Sequence, residues 1–224
     1  MAQTLFITGT DTGVGKTVLT ALLVGFLRAK KIPVAALKPV CSGGRADARQ
    51  LQAALGGALS LDEINPWHFR APIAPLLASR RENKSVPLAD ALAFIRTTRK
   101  NFDVTLVEGA GGLLSPLGTD FDSRDLVTAL RAAPIVVAQN RLGVVNPILL
   151  TLEALPKNLL AKVKVVLMSP PKPDAATASN AELVAELYPA VKIFELPWLG
   201  SNFDALTAWR RAAVRRTLAA LVDI

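Results

Sequence analysis

The residues Gly9-Thr10-Asp11-Thr12-Gly13-Val14-Gly15-Lys16-Thr17 follow directly on the apolar run Leu5-Phe6-Ile7 and lead into Val18-Leu19. An apolar strand, a glycine-rich turn and an opening helix, in that order, build a cradle for phosphate. Glycines let backbone N–H groups turn inward, and a helix N-terminus adds partial positive charge. In such a cradle Lys16 reaches the outer phosphates and the Thr17 hydroxyl holds Mg2+. The strict spacing of the motif wants a glycine at position 10, whereas Thr10 stands there and Gly9 comes one place early. The strand-to-helix setting is still the one the motif requires. A nucleoside triphosphate is therefore the expected ligand, held by Gly13, Val14, Gly15, Lys16, Thr17 and Val18.

The same alternation continues along the chain. Apolar runs predict strands at Thr4–Thr8, Val34–Lys38, Val104–Glu108, Ile135–Ala138, Val163–Leu167 and Lys192–Glu195. Amphipathic stretches predict helices at Lys16–Lys30, Asp47–Leu55, Leu88–Arg99, Ser123–Arg131, Val145–Ala154, Ala176–Leu187 and Asp204–Val222. Continuous apolar strands belong to a sheet buried on both faces. Strand–helix–strand repetition implies right-handed crossovers and a parallel sheet. The expected fold is thus α/β in three layers, a mostly parallel central sheet with helices on both faces. Ligands then sit beyond the carboxyl ends of the strands. Lys38–Ser42, Glu108–Gly112 and Pro197–Leu199 should converge there on one crevice. The proline- and arginine-rich segment Asn65–Arg81 reads as an ordered loop over a sheet edge, and Ser169–Asp174 as a second loop.

A chain of 224 residues suits one α/β domain, 1–224, and at this size buries roughly 70–75% of its unfolded surface. The single cysteine, Cys41, has no partner for an internal disulfide, which fits a reducing cytoplasm. No cleavable leader is expected, and no apolar run approaches the roughly 20 residues that span a bilayer. The formal charge of +8 raises nucleic acid as a partner. The arginines are scattered, however, apart from Arg80-Arg81, Arg210-Arg211 and Arg215-Arg216. The last four read as a solvated helix face. Anionic small-molecule substrates account for the charge, with no nucleic acid and no membrane as partners.

Glu108 ends an apolar strand and precedes Gly109-Ala110-Gly111-Gly112, where a carboxylate can bind Mg2+ opposite Thr17. Asp47, just past the second strand, reads by itself as a first-turn helix residue. Lys38 ends a buried strand before Pro39 and should point into the crevice, where it can offset charge during phosphoryl transfer. Ser42 is a nearby hydroxyl. Cys41 reads as packing, because no base stands near it in sequence, and the lone His68 reads as structural.

These segments together resemble the dethiobiotin synthetase family. The resemblance rests on Gly9-Thr10-Asp11-Thr12-x-Val14-Gly15-Lys16-Thr17, Lys38-Pro39-Val40-x-Ser42-Gly43, Asn65-Pro66-x-x-Phe69, Val107-Glu108-Gly109-Ala110-Gly111-Gly112 and Pro197-Trp198-Leu199. They stand in the family's order and span nearly the whole chain. The resemblance implies ATP- and Mg2+-dependent ring closure of 7,8-diaminopelargonate with CO2 or bicarbonate. It implies catalytic roles for Lys16 and Lys38, and metal binding by Thr17, Asp47 and Glu108. It implies substrate contacts at Thr12, Ser42, Gly111 and Gly112. It also implies a homodimer, in which Leu142-Gly143-Val144-Val145-Asn146 holds the substrate carboxylate with helix-start N–H groups. Many members end the fifth strand with an asparagine that reads adenine. Here the strand ends Leu167-Met168-Ser169-Pro170, so main-chain groups near Met168, Ser169 and Pro197-Trp198-Leu199 are expected to form the pocket for the base of ATP or another triphosphate.

Three other readings compete. A partition or septum-positioning ATPase carries a signature lysine where Asp11 stands here. A non-catalytic regulatory domain has no need to keep Lys16, Thr17, Lys38 and Glu108 together. An amidoligase or small-molecule kinase on the same scaffold is the third.

Overall fold

A computed structural model describes residues 3–222. The chain runs β1 (Gln3–Gly9), α1 (Lys16–Ala29), β2 (Val34–Leu37), β3 (Val40–Ser42), α2 (Ala46–Ala54), α3 (Leu61–Ile64), β4 (Trp67–Phe69), α4 (Pro75–Arg81) and α5 (Leu88–Thr98). It continues through β5 (Val104–Glu108), α6 (Ser123–Leu130), β6 (Ala133–Gln139), α7 (Val145–Ala154), β7 (Lys164–Met168), α8 (Ala175–Leu187), β8 (Lys192–Leu196), α9 (Ala205–Ala208) and α10 (Ala212–Val222).

Six strands form one sheet in the order β2-β5-β1-β6-β7-β8, and every strand pairing within it is parallel. The inner strands have no polar face to turn outward. Leu5, Phe6, Ile7, Leu106, Val107 and Ile135–Ala138 are all fully buried, as a sheet covered on both sides demands. Helix α1, with α9 and α10 packed on it, covers one face. Helices α6 and α7 lie against the other, flanked by α5 and α8. Strand β1 lies between β5 and β6, so the connection from β5 to β6 steps over it. The strand order reverses there, and the loops at the carboxyl ends part to leave a crevice.

Helix α1 is apolar nearly all round, because Leu19, Ala21–Val24, Phe26 and Leu27 meet sheet, α2 or α9. Gly25 serves close packing in this helix. A Cβ there would stand 2.6 Å from Trp209 Cδ1.

Three expectations are corrected. Residues Asn65–Arg81 are no loop, since they contain β4 and α4. Strand β4 pairs in parallel with β3 as a separate two-stranded sheet. Pro75 stands at the first position of α4, where its missing N–H costs nothing. The expected C-terminal helix is two helices. Asp204 caps α9 through a bond from Leu206 N–H, and Trp209 Nε1 donates to Leu206 O at 2.8 Å. Arg210 and Arg211 close tight turns onto Thr207 O and Ala208 O before α10 begins. Finally, Ser60 and Glu63 form a reciprocal capping box that starts the unpredicted α3. Ser169–Asp174 is irregular, as expected. Arg210, Arg211, Arg215 and Arg216 are all exposed.

Candidate active site

The loop from β1 to α1 turns on Gly13 at φ 74° and Gly15 at φ 106°, values that favour glycine. Gly15 is also pressed close, since a Cβ there would lie 2.9 Å from Met168 Cε. The loop curls over the Lys16 side chain, whose Nζ donates to Asp11 O at 2.7 Å. Lys16 is buried, and burial together with the positive charge of Lys38 lowers its pKa to about 8.

Beneath the loop, Glu108 closes β5. Its Oε1 accepts from Thr17 Oγ1 and from Lys38 Nζ, each at 2.7 Å. Lys38 Nζ also bonds Gly109 O at 3.1 Å and pairs with Asp47 Oδ2 at 2.9 Å. The Asp47 side chain is half exposed and lies in the first turn of α2. Burial opposes the charge on Lys38, but the attraction of Glu108 and Asp47 and their hydrogen bonds prevails and holds the ammonium above its ordinary value.

Glu108 Oε2 is buried and has no hydrogen-bond partner among the described residues. A buried carboxylate oxygen left bare is costly unless a cation or donor meets it. The donors nearby are two carboxylates and one hydroxyl, all oxygen. No cluster of three or more His, Cys, Asp or Glu able to hold a metal occurs among the described residues. That set fits Mg2+, which takes one or two carboxylates and completes its shell with phosphate oxygens and water.

The strand-end segments meet two adjoining cavities rather than one crevice. The larger, about 760 Å3, is lined by Thr12, Gly13, Gly15–Val18, Lys38, Cys41, Ser42, Asp47 and Gly111. The apolar stretch Pro72–Pro75 and Pro116 form its far wall. The smaller, about 350 Å3, is lined by Gly13, Val14, Gly15, Val18, Met168, Ser169 and Pro197–Leu199, together with Gln139, Asn140 and Arg141. Gly13, Gly15 and Val18 border both. Gly112 lines a shallow third groove instead, with Leu114 and Leu150.

Some expected residues stand elsewhere. Leu142–Asn146 open α7 but line neither cavity, and Leu142 is 78% exposed. His68 is exposed on β4. The Cys41 thiol bonds Gly44 O and Asn65 Oδ1, and burial raises its pKa, as a packing role requires. Pro72–Pro75 and Asn140 were not read from sequence. Prolines gave only a loop signal, and Asn140 sits one residue past β6. Its amide is committed to Thr177 O and to Asn180.

A parallel sheet, a glycine loop feeding a helix, and lysines and carboxylates at the strand ends define the P-loop nucleotide-binding class. Solved structures agree at the level of fold. The pNOB8 ParA bound to nonspecific DNA superposes with a TM-score of 0.63 at 13% identity, covering 100% of this chain and 98% of that one. The chloroplast FtsY of Physcomitrella patens gives 0.50 at 17% identity over 93% of this chain and 65% of its own. A family model described as an AAA domain matches residues 3–202. An ATP-dependent dethiobiotin synthetase of Anaeromyxobacter dehalogenans is 40% identical over 199 residues, 87% of this chain and 89% of the relative. One from a Mycobacterium species is 40% identical over 83% of this chain and 84% of its own. The chain belongs to the dethiobiotin synthetase family.

Proposed function

We propose that the chain closes the ureido ring of dethiobiotin from 7,8-diaminopelargonate and CO2, driven by ATP, as a step of biotin biosynthesis. Membership of the family supports the reaction. One observation supports its placement: Lys16, Thr17, Lys38 and Asp47 line the 760 Å3 cavity beside the glycine loop, with the buried Glu108 bonded to Thr17 and Lys38 behind them.

One amine of the diamine adds to CO2 and loses a proton, giving a carbamate. The γ-phosphoryl of ATP moves to a carbamate oxygen and ADP departs. The second amine attacks the carbamoyl carbon, phosphate leaves, and the ring is closed. Such a transfer asks the protein mainly to position groups and offset charge. Lys16 and Lys38 flank the moving phosphoryl and hold their protons there. Thr17, Asp47 and Glu108 would hold Mg2+, which would supply further positive charge beside the phosphates. The Ser42 hydroxyl already donates to Ile73 O, so it meets the substrate as an acceptor for amine N–H. Thr12 and Gly111 line the diamine path, and the Pro72–Pro75 wall faces its alkyl chain. Met168, Ser169 and Pro197–Leu199 take the base.

The protein works as a cytoplasmic homodimer in this reading. Leu142–Asn146 of a second copy reach the substrate carboxylate, which explains why they stand away from the cavities of their own chain. Exposed Leu114, Leu142 and Leu150 supply an apolar face for that copy. No helix among the described residues is long and apolar enough to cross a membrane.

The test mixes purified protein with the diamine, bicarbonate, Mg2+ and each of the four triphosphates, and detects the cyclic urea by mass. Product with ATP and none without nucleotide is expected. Failure to form it with ATP overturns the reading.

A further inference from the structure

Lys38 stands one residue past the end of β2, whose ladder with β5 stops at the pair Leu37–Val107. The sheet therefore does not hold its peptide groups. The junction between α3 and β4 does. Lys38 N–H donates to Ile64 O at 2.9 Å, and Lys38 O accepts from Asn65 Nδ2 at 2.6 Å. The same Nδ2 lies 3.3 Å from Trp67 O and 3.4 Å from Pro39 O. On the other side of the amide, Asn65 Oδ1 accepts from Cys41 Sγ at 3.1 Å and Arg45 Nε at 3.2 Å. Arg45 fixes the junction in turn, donating to Leu61 O and Asn65 O and pairing with Asp62. Asn65 is fully buried and touches neither large cavity.

We infer that Asn65 is the positioning residue for Lys38, acting through the main chain and not on the substrate. The inference rests on the role assigned above to Lys38. The Lys38 carbonyl takes its donor from this amide and Arg45 Nε takes its acceptor, whereas Pro39 O also has Trp67 N–H and the Cys41 thiol also has Gly44 O. Only a carboxamide meets both demands in one buried place. Without it, the Lys38 backbone is left with the bond from its N–H to Ile64 O and can shift while Glu108 and Asp47 still hold its amine. A misplacement of about 1 Å far from the chemistry costs up to about 100-fold in rate.

The experiment is a double-mutant cycle of Asn65→Ala and Lys38→Ala in the full chain. Single-turnover product formation is counted per nucleotide-binding site, so that misfolded protein drops out. Asn65→Ala should lower kcat about 10- to 100-fold, with the ATP dissociation constant within about twofold of the parent. In the Lys38→Ala background the same change should cost less than about twofold, because the group it positions is gone. Should Asn65→Ala fail to fold, Asn65→Asp repeats the cycle. It keeps the shape and the acceptor for Arg45 and sets an oxygen against the Lys38 carbonyl. Equal losses in both backgrounds, or no loss at all, overturn the inference. If Lys38→Ala itself turns over normally, it is the role of Lys38 that fails.

Discussion

Lys38 and Lys16 carry opposite electrostatic histories although both are buried beside the same cavity. Lys38 has two carboxylates in contact, whereas Lys16 bonds a main-chain oxygen, and the attraction of Glu108, Asp47 and Asp11 does not outweigh its burial and the charge of Lys38. Lys38→Ala should keep nucleotide binding and lower turnover by about 100- to 1,000-fold, the usual cost of losing one charge-stabilising donor. Product formation and equilibrium nucleotide titration check this together. Lys16 makes a different prediction. In the free protein its pKa is lowered to about 8, and the negative charge of a bound triphosphate favours the charged amine. Binding above pH 8 must therefore take up a proton. Affinity should fall as pH rises past 8, by at most about tenfold per unit, and this group adds no dependence well below 8. Calorimetry at pH 8.5 in two buffers of different ionisation enthalpy reads the uptake. Identical heats in the two buffers sink the claim. Residues of this kind were legible in sequence because their chemistry is local to a motif. The Asn65 network was not, because most of its partners are main-chain atoms that only the fold assembles.

Among the elements, α6 shows how a cap sets a helix start. Asp122 accepts from Arg124 N–H and Asp125 N–H, while Asp125 returns a bond to Asp122 N–H. Asp122→Ala should cost about 0.5–2 kcal/mol of stability, read as a lower urea midpoint at unchanged slope. All six main-sheet strands were readable from sequence, the inner ones because burial on both faces leaves apolar runs, and the edge strand β8, largely uncovered, from Ile193-Phe194 alone. Strands β3 and β4 were not, since three residues each are too few to carry a period. The start of α3 was marked by Ser60 and Glu63, a signal present in the chain but outweighed by its brevity. Pro75 reads as a loop mark in sequence because nothing local distinguishes a proline that opens a helix from one that forbids it.

For the molecule as a whole, the proposed dimer makes a prediction at an exposed apolar groove. Leu150 is 63% exposed and shares the shallow groove with Leu114. Leu150→Arg should move the sedimentation coefficient from dimer towards monomer and reduce turnover in parallel, with nucleotide affinity retained. A variant that stays dimeric and active counts against that face. Composition says nothing of oligomeric state, because single exposed leucines are ordinary on any surface. The two chambers on either side of the glycine loop have a bearing on inhibitor design. Among the described residues they share Gly13, Gly15 and Val18 as a common border. A compound joining a weak fragment from each side would make the second capture intramolecular, gaining affinity from the linkage and not from new contacts.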